Sequence, residues 1–404
     1  MDNQNILKKI RDINFSFSEF ATCCPELLRL KEIPQNAEYH AEGDVYRHTE
    51  MVCEKLIELS EWKQLKNEEQ ELLFLAAAFH DIGKARCTKK EDGKWVSPKH
   101  TIIGEKEFRA IAYREEKRFG LTFEQREQAA GLVRYHGLPV WFWSKKRTEY
   151  DLLKAAESVP LRLLYLLSKA DILGRESKDG SEFASYVEWF ADYAKELNLW
   201  EKPYYFANAH TKFQYFYKNS ICQDAQLYDN GGFDVFLMSG LPLAGKDSWI
   251  LKYGNNLPMI SLDEIREELR IPPTKNSEKV ARIAVERAKN YLRAEKTFFW
   301  NATNIVQETR QKLIRLFADY GARVHILYLE VSYQELLERN KKRARDIPWD
   351  VLEKMIDKLE LPAPWEAHKV HYILSDPIGD KQLACTCGVS LLSADCRSAQ
   401  KKSL

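Results

Sequence analysis

Residues 233–251 have the sequence Phe-Asp-Val-Phe-Leu-Met-Ser-Gly-Leu-Pro-Leu-Ala-Gly-Lys-Asp-Ser-Trp-Ile-Leu. The apolar run 235–238 predicts a buried strand, and an amphipathic helix follows Lys246. Between them, Gly240 and Gly245 have the spacing of a phosphate-binding loop. In such a loop the glycines let backbone N–H groups turn toward phosphate oxygens, and the lysine reaches the β and γ phosphates. The stretch therefore predicts a nucleoside triphosphate site.

One position departs from the usual pattern of this loop. Asp247 stands where a Ser or Thr hydroxyl normally binds magnesium, and Ser248 follows it. A carboxylate can hold the same ion directly or through water. We therefore expect Mg²⁺ with ATP or another nucleoside triphosphate here, with Asp247 and Ser248 among the nucleotide-binding residues. The alternative is a glycine-rich turn with a solvated lysine, which leaves the flanking strand and helix unexplained.

The composition is that of an ordinary globular protein with more than one domain. The chain has 404 residues, of which 45% are hydrophobic and 30% charged, and this length predicts two or three domains. A formal net charge of +1 neither supports nor excludes a nucleic-acid substrate. The N-terminus lacks an apolar signal core and no stretch reaches transmembrane length, which predicts a cytoplasmic protein with no membrane partner. The eight cysteines form no regular framework and are expected to be reduced thiols.

Residues 1–200 are predicted to be all-α, because apolar residues recur at three- and four-residue spacing. His80 and Asp81 close the apolar run 72–79 of one such helix. Six side chains of this region have the chemistry of transition-metal ligands, and they are His48, His80, Asp81, His100, His136 and Asp171. Imidazoles and carboxylates together suit manganese, nickel, cobalt, iron or zinc. Two such ions bridged by Asp81 would activate a shared water and polarise a phosphoryl oxygen, which predicts phosphate-ester hydrolysis.

Two cations share helical faces with these ligands. Lys84 follows His80 by four residues, and Arg175 follows Asp171 by four. Both are candidate catalytic residues, because they place positive charge where the phosphate oxygens of a substrate would lie.

Three further groups precede the first ligand helix. His40, Glu42 and Asp44 are candidates for pocket or supporting roles. Asp44 is equally well suited to capping that helix.

The metal-ligand set strongly resembles the HD phosphohydrolase superfamily in its dinuclear form. This resemblance implies a helical HD domain that holds two divalent transition metals. A mononuclear alternative would use His48, His80, Asp81 and Asp171 only. His100 and His136 would then contact substrate.

Residues 201–232 form a junction that is dense in aromatic rings. Such rings can stack on nucleobases. We favour packing of one domain on the other, because the composition of a flexible linker is absent. The sequence Asp-Asn-Gly-Gly at 229–232 predicts a turn and a domain boundary.

Residues 233–376 are predicted to form an α/β domain with a parallel sheet, because short apolar strands alternate with charged helices. Ligands of such a sheet bind at the carboxyl ends of its strands. The predicted strands are Val235–Ser239, Met259–Leu262, Thr297–Asn301 and Val324–Glu330.

Each of the later strands is followed by polar residues with candidate roles. After the second strand, Asp263 can accept the proton of an attacking hydroxyl, and Arg266 can clamp an acceptor phosphate. After the third strand, Asn301 stands where an acidic residue is often found. After the fourth, Arg339 and Arg343 lie one turn apart and can close over a triphosphate.

These motifs together resemble the polynucleotide 5′-hydroxyl kinase branch of the P-loop phosphotransferases. The resemblance implies that Lys246 stabilises the transferring phosphoryl group and that Asp263 is the general base. It also implies that Arg266 holds the phosphate 3′ to the accepting nucleotide. Arg339 and Arg343 would bind the phosphates of the nucleotide.

The order of the two domains is similar to that of the bacterial HD-Pnk enzymes, which fuse these two parts to heal RNA ends. This family implies removal of 2′,3′-cyclic, 2′ or 3′ phosphates by the HD domain and phosphorylation of 5′-hydroxyls by the kinase. It implies RNA or DNA ends as substrates and an RNA ligase as partner. From the residues alone, the inference stops at a metal-dependent phosphohydrolase joined to an NTP-dependent phosphotransferase.

Two other functions remain open at this point. The first is an HD nucleotidase fused to a small-metabolite kinase. The second is a regulator in which ATP binding gates the HD domain without phosphate transfer. Residues 377–404 are expected to be a tail without a recognisable motif.

Overall fold

The chain divides into two compact units, Met1–Tyr205 and Phe206–Leu404. The computed structural model describes residues 5–177, 180–218, 220–229, 231–272, 275–343 and 346–375. The predicted tail at 377–404 lies outside these residues. Among the residues so described, no helix combines the length and the apolar character that a membrane span requires.

The first unit is helical, as the sequence predicts, and three short 3-10 segments supplement its α-helices. The 3-10 segments are Pro25–Leu30, Trp62–Gln64 and Phe142–Ser144. The α-helices are α1 (Ile6–Asp12), α2 (Phe17–Cys23), α3 (Val45–Glu58), α4 (Asn67–Phe79), α5 (Lys84–Cys87), α6 (His100–Arg114), α7 (Glu116–Phe119), α8 (Phe123–Tyr135), α9 (Leu138–Trp141), α10 (Thr148–Ala156), α11 (Leu161–Leu173) and α12 (Gly180–Glu196).

Helix α4 lies at the centre of the first unit. All of its residues from Leu72 to Phe79 are buried, because a helix that is apolar on every side must be surrounded by other elements. Helices α1, α3, α8 and α11 pack against it. The polar residues that directly follow α4, His80 and Asp81, are therefore deep in the unit, at 0% and 2% exposure.

A two-stranded hairpin interrupts the helices, which the sequence analysis does not predict. Strand β1 (Lys89–Glu91) pairs antiparallel with β2 (Lys94–Val96). Asp92 and Gly93 form the connection, with φ of +48° and +82°. Asp-Gly is a favoured two-residue hairpin connection because both positions require positive φ. The strands themselves are too short and too charged to show an apolar pattern.

The second unit is an α/β fold, as the sequence predicts. Its five strands pair in parallel in the order β4-β5-β3-β6-β7. The strands are β3 (Asp234–Ser239), β4 (Met259–Ser261), β5 (Phe298–Asn301), β6 (Arg323–Glu330) and β7 (Lys369–Leu374). The helices are α13 (Ala209–Tyr217), α14 (Lys246–Tyr253), α15 (Leu262–Glu268), α16 (Ser277–Arg293), α17 (Gln307–Asp319), α18 (Tyr333–Lys341) and α19 (Trp349–Lys358).

Both faces of this sheet are buried, because alternate residues of the central strand enter two separate cores. Val235 and Leu237 pack in the larger core, which also contains Phe213 of α13. Phe236 and Met238 point to the other face, where they pack with helix α14. Burial on both faces explains the continuous apolar run of β3, as expected for parallel sheets covered by helices.

Strand β7 is absent from the sequence prediction. It pairs in parallel with β6 along Lys369–Leu374. Its sequence, Lys-Val-His-Tyr-Ile-Leu, mixes apolar and polar residues, and the strand is at the edge of the sheet. An edge strand needs no uniform apolar run, so periodicity alone does not identify it.

A buried ion pair supports the loop after β5. Arg310 of α17 and Glu366 both have fully buried side chains. The Nε and Nη2 atoms of Arg310 donate to the two carboxylate oxygens of Glu366, each at 2.8 Å. Its Nη1 donates to the backbone oxygens of Asn304 and Glu360 at 3.1 and 2.8 Å. The loop backbone is thus fixed by a charged group with every partner inside the unit.

We expect Glu366→Ala to lower the free energy of unfolding by about 3 to 5 kcal/mol, because the charge of Arg310 would remain buried without its partner. Chemical denaturation monitored by tryptophan fluorescence measures the loss. Glu308→Ala is the matched control, since Glu308 is on α17, the helix of Arg310, in an exposed pair with Lys312. This variant should lose less than about 1 kcal/mol of unfolding free energy. Equal losses for the two variants would contradict this account of the loop.

Candidate functional sites

The six predicted metal ligands of the first unit lie together around the carboxylate of Asp81. They come from α3, the C-terminal ends of α4 and α8, the first residue of α6, and α11. Four imidazole Nε2 atoms face this carboxylate. Their distances to its nearest oxygen are 3.8 Å for His48, 3.3 Å for His80, 3.5 Å for His100 and 3.8 Å for His136.

The two oxygens of Asp81 face different pairs of histidines. His48 and His80 approach Oδ2, whereas His100 and His136 approach Oδ1. A carboxylate placed in this way can bridge two ions. The arrangement matches the dinuclear interpretation more closely than the mononuclear one.

Asp171 and the two predicted cations complete this centre. Asp171 Oδ1 lies 3.1 Å from His48 Nε2, on the Oδ2 side of Asp81. Arg175 donates to both carboxylate oxygens of Asp171. Lys84 Nζ lies 2.7 Å from Asp81 Oδ2 and donates to Gln35 Oε1 at 2.8 Å. Each cation thus contacts a carboxylate of the cluster. Arg175 does so at the predicted four-residue spacing from Asp171, whereas Lys84 begins a separate helix, α5, and contacts Asp81.

The second ring nitrogen is anchored to a backbone oxygen in three of the four histidines. The Nδ1 atoms of His80, His100 and His136 lie 2.7, 3.0 and 2.9 Å from the backbone oxygens three residues earlier. His48 Nδ1 lies 2.8 Å from Glu42 Oε1. A ring that donates through Nδ1 presents an unprotonated Nε2, which is the form that binds a metal.

Gly83 allows α6 to approach the centre. A Cβ atom at this position would lie 2.2 Å from the backbone oxygen of His100 and 2.5 Å from the nitrogen of Gly104. Only a residue without a side chain permits this contact. The close approach brings His100, the first residue of α6, to Asp81.

The electrostatics of the centre favour ionised carboxylates. Burial raises the pKa of Asp81, but the adjacent Lys84 and His80 hold it well below its usual range. Burial also raises the pKa of Asp171, but Arg175 and His48 outweigh this effect and hold the pKa well below its usual range. Burial lowers the pKa of His136 to about 3. Burial also lowers the pKa of His80, but the adjacent Asp81 outweighs it, so that pKa is raised. Ionised carboxylates and neutral imidazoles are the forms that metal binding needs.

The cluster fits a divalent metal on the evidence of its buried atoms. Among the described residues, His48 Nε2, His80 Nε2 and Asp81 Oδ1 are buried without a hydrogen-bond partner, although buried polar atoms are normally satisfied. Within the described part of the chain, three sets of three side chains have their donor atoms within 4.8 Å of one another. Two consist of predicted ligands, His48, His80 and Asp171, and His80, Asp81 and His136, and the third is His40, Glu42 and His48. This donor set suits a transition metal.

A cavity of about 520 Å³ opens onto Asp81, His100 and His136. The groups that line it beyond the ligands are mostly cations and aromatic rings. The cations are Lys84, Arg134, Lys145, Lys154 and Arg175, and the rings include Tyr39, Trp95, Trp141 and Phe183. Sequence reasoning identifies only Lys84 and Arg175 of this set. The others come from the β1–β2 hairpin, from loops and from helices α8, α9, α10 and α12, and they do not lie at helical spacing from the metal ligands.

In the second unit, the phosphate-binding loop (residues 240–246) follows strand β3 directly. Gly240 has φ of +139°, and a Cβ atom there would lie 2.3 Å from the backbone oxygen of Leu329. Its N–H donates to Thr303 O at 2.9 Å. The neighbouring Asn304 donates through Nδ2 to Met238 O at 2.7 Å. The Asn-Ala-Thr-Asn sequence after β5 therefore supports the start of the loop.

Lys246 is folded over the loop. Its Nζ donates to the backbone oxygens of Gly240 and Leu241 at 3.0 and 2.8 Å. Burial lowers its pKa to about 8, while the carboxylates of Asp247 and Asp263 favour its charged form. Asp263, the predicted general base, is an exposed residue in the first turn of α15, the helix that follows β4. Gly245, the residue before Lys246, caps α14.

The two positions that depart from the usual pattern contact each other. Asn301 Nδ2 donates to Asp247 Oδ1 at 2.5 Å. Asn301 ends strand β5, whereas Asp247 is the second residue of α14. Ser248 is exposed beside Asp247.

The three predicted arginines are in different environments. Arg339 Nη1 donates to Leu243 O of the loop at 2.7 Å, and its Nη2 binds Glu335. Arg343 is exposed two residues after the end of α18, so the prediction that it shares one helical face with Arg339 is wrong. Arg266 donates to the backbone oxygens of Pro272 and Lys275 and to Ser277 Oγ. Only Arg339 therefore touches the phosphate-binding loop directly.

We predict that Glu42→Gln weakens Mn²⁺ binding to the first unit by about 10- to 100-fold, as is typical when a group behind a metal ligand is changed. The carboxylate of Glu42 lies 2.8 Å from the Nδ1 atoms of both His48 and His40, and its loss weakens the orientation and basicity of His48. Titration calorimetry on the full chain measures the affinity. Glu54→Gln is the control, because Glu54 is exposed on α3, the helix that carries His48. An equal affinity for the two variants would refute this role.

The three residues that precede α3 have two different roles. Asp44 accepts a hydrogen bond from the backbone N–H of Arg47 at 2.8 Å and caps α3. Glu42 and His40 lie on the side of the metal ligands.

Comparison with known proteins identifies the two domains separately. A family model of the HD domain matches residues 45–174, and a family model of the AAA domain matches residues 235–362. The bifunctional uridylyltransferase/uridylyl-removing enzyme of Cereibacter sphaeroides is 38% identical over 109 residues, which are 26% of this chain and 10% of that protein. The chain thus matches only a small part of the length of this relative. A candidate kinase from Chloroflexus aurantiacus, known from its crystal structure, is 14% identical with a TM-score of 0.29, over 38% of this chain and 91% of that one.

The two family matches coincide with the helical metal-ligand cluster and with the sheet that carries the phosphate-binding loop. The chain therefore contains an HD domain at residues 45–174 and a AAA domain at residues 235–362, and the parallel sheet of the latter is consistent with a P-loop kinase fold.

Proposed function

We propose that this chain is a bifunctional enzyme that heals broken nucleic-acid ends, RNA ends above all. The HD domain removes 2′,3′-cyclic, 2′ or 3′ phosphates. The P-loop domain transfers a phosphate from a nucleoside triphosphate to a 5′-hydroxyl. The observation that carries this proposal is the cavity over Asp81, which combines cations with aromatic rings.

The cavity has the size and chemistry for a terminal nucleotide. Its volume of about 520 Å³ is within the range of small-ligand sites. Lys84 and Arg175 lie next to the metal ligands and suit a phosphate. Trp95 and Trp141 are 38% and 50% exposed, which leaves ring surface on which a base can stack.

In the HD domain, the residues hold the substrate phosphate against the ligand cluster. Divalent transition metals would be held by His48, His80, Asp81, His100, His136 and Asp171, and when bound would supply an activated water and polarise the phosphoryl oxygen. Lys84 and Arg175 offset the negative charge that develops on the phosphate in the transition state. The two carboxylate oxygens of Asp81 connect the pair His48 and His80 with the pair His100 and His136.

In the P-loop domain, the residues position a triphosphate for attack by a 5′-hydroxyl. Lys246 leaves the carbonyl groups of the loop and stabilises the transferring phosphoryl group. Asp263 accepts the proton of the hydroxyl. Asp247 would hold a magnesium ion, which would supply positive charge to offset the negative charge of the triphosphate.

Arg266 retains donors for an acceptor phosphate. A guanidinium carries five N–H donors, and three hydrogen bonds of Arg266 go to Pro272 O, Lys275 O and Ser277 Oγ. The Nε atom and one N–H of Nη2 are left for the phosphate 3′ to the accepting nucleotide. Arg339, which already contacts Leu243 O, and the exposed Arg343 bind the phosphates of the nucleotide.

The two reactions have complementary products. Cleaved RNA with a 2′,3′-cyclic phosphate and a 5′-hydroxyl becomes RNA with a 3′-terminal hydroxyl and a 5′-phosphate. These are the ends that an RNA ligase joins, so a ligase is the natural partner of this enzyme.

A second candidate function is favoured by the same cavity, because its volume also suits a free mononucleotide. The chain would then be a nucleotide phosphohydrolase joined to a small-metabolite kinase. Such an enzyme would act on nucleotides and leave oligonucleotide ends unchanged.

The deciding experiment incubates the full chain with labelled ATP and an RNA that carries a 5′-hydroxyl and a 2′,3′-cyclic phosphate. Mn²⁺ or Ni²⁺ is supplied for the HD domain and Mg²⁺ for the kinase, and both ends are analysed after digestion. We expect a labelled 5′ end and an open, dephosphorylated 3′ end. Activity confined to mononucleotides, or ATP binding without transfer to any hydroxyl, would overturn the proposal.

Two substitutions separate the activities. Asp81→Ala should abolish phosphate removal because it deletes the carboxylate shared by all four imidazoles, and it should leave 5′ phosphorylation at the wild-type rate. Asp263→Ala should slow 5′ phosphorylation by about 10²- to 10⁴-fold, the usual contribution of a general base, with phosphate removal unchanged. Loss of both activities in either variant would be inconsistent with independent sites.

A further inference from the structure

We propose that the two magnesium-binding positions of the P-loop domain have exchanged their residue types, and that Asp247 and Asn301 are the result. The carboxylate that serves the metal is on the helix after the phosphate-binding loop, and the uncharged partner is at the end of the neighbouring strand. The two departures from the usual pattern then compensate each other. This inference rests on the proposed nucleotide-binding function of the domain.

The topology brings these residues to one edge of the sheet. Strand β5, which Asn301 ends, pairs in parallel with β3. Strand β3 leads directly into the phosphate-binding loop and helix α14, where Asp247 lies. Ligands of parallel sheets bind at this edge. The contact of 2.5 Å between Asn301 Nδ2 and Asp247 Oδ1 confirms that the side chains meet there.

The hydrogen bond determines the role of each residue. An ionised carboxylate only accepts hydrogen bonds, so the amide nitrogen of Asn301 must face Asp247. Asn301 is only 5% exposed, and its Nδ2 also lies 3.6 Å from Met259 Sδ. The amide is therefore held by its surroundings, whereas Asp247 is exposed. Asn301 is the positioning residue, and Asp247, through Oδ2, is the metal ligand.

The charge at the site is the same in both arrangements. The usual pattern has a neutral hydroxyl on the loop helix and one carboxylate on the strand. Here a carboxylate is on the loop helix and a neutral amide is on the strand. Magnesium at nucleotide sites is commonly held by one or two carboxylates together with phosphate oxygens, so a single acidic group at either place meets this requirement.

The exchange predicts a specific pattern among three variants. Asp247→Ser removes the only carboxylate of the pair. Asn301→Asp alone places two carboxylates in contact, and their repulsion disturbs the site. The double variant Asp247→Ser with Asn301→Asp restores one hydroxyl and one carboxylate in the usual order.

The measurement is the affinity of the full chain for a fluorescent ATP analogue with a non-hydrolysable β,γ-imido linkage, with and without saturating Mg²⁺. The readout is the gain in affinity that Mg²⁺ produces, so phosphate transfer is not needed. We expect Mg²⁺ to raise the affinity of the wild type about tenfold or more and to leave the affinity of Asp247→Ser nearly unchanged. In the double variant the gain should recover to within about threefold of the wild type.

Two results would overturn the inference. One is a gain in Asp247→Ser equal to that of the wild type. The other is a double variant that is no better than Asp247→Ser. Asp350→Ser is the matched control, because Asp350 is in an exposed pair with Lys354 on α19, and it should keep the full gain. Thermal unfolding without nucleotide checks that each variant is folded, and Asp247→Asn, which keeps the shape of the side chain, replaces Asp247→Ser if that variant is not.

This test and the test of the proposed function fail separately. A Mg²⁺ gain that follows the predicted pattern, without phosphorylation of any RNA end, would reject the proposed substrate and keep the exchange. RNA phosphorylation together with an unchanged gain in Asp247→Ser would do the reverse.

Discussion

The carboxylate of Asp81 is the group on which the HD domain depends. Four imidazoles face it with Nε2 distances of 3.3 to 3.8 Å, and they come from four different helical segments. An ionised carboxylate at 2% exposure is costly unless charges and hydrogen bonds compensate it. Lys84 and the histidines provide this compensation, and the surrounding helices α3, α4, α6 and α8 must pack closely to deliver them. The same packing leaves donor atoms without partners, which is the condition for binding a metal.

In the P-loop domain, the phosphate-binding loop at the edge of the sheet depends on the residues that support it. The loop must present backbone donors to an anion, and it therefore needs support from behind. Asn304 and the buried pair of Arg310 and Glu366 give that support through the loop after β5. The front of the loop carries Lys246, Asp247 and the neighbouring Asn301. A rigid base and a charged front are what phosphoryl transfer by positioning and electrostatics requires.

The sequence was sufficient for the parts that follow periodic or local rules. The helical first domain, the parallel sheet and the strand before the loop all follow from apolar spacing and glycine position. The ligands around Asp81 are recognisable because His80 and Asp81 directly end an apolar helix. The hairpin at 89–96, strand β7 and the pair of Arg310 and Glu366 were not predicted, because their patterns are short, mixed or distant in sequence.

The residues that line the cavity show the same limit more clearly. Trp95 and Trp141 have no fixed spacing from any metal ligand, so only the packed helices reveal that they share one pocket with Asp81. The contact between Asp247 and Asn301 is another case, since each alone looks like a defect in its motif. Tertiary contacts thus supply the specificity of sites whose general chemistry is visible in the sequence.

The bridging role of Asp81 is tested most directly by diffraction from crystals of the full chain grown with Mn²⁺. An anomalous difference map recorded at the manganese absorption edge locates each bound ion without reference to activity. The account predicts two peaks, one on each side of the Asp81 carboxylate and about 3.5 to 4 Å apart, as in other two-metal sites. A single peak beside His48 and His80, or no peak at Asp81, would contradict it.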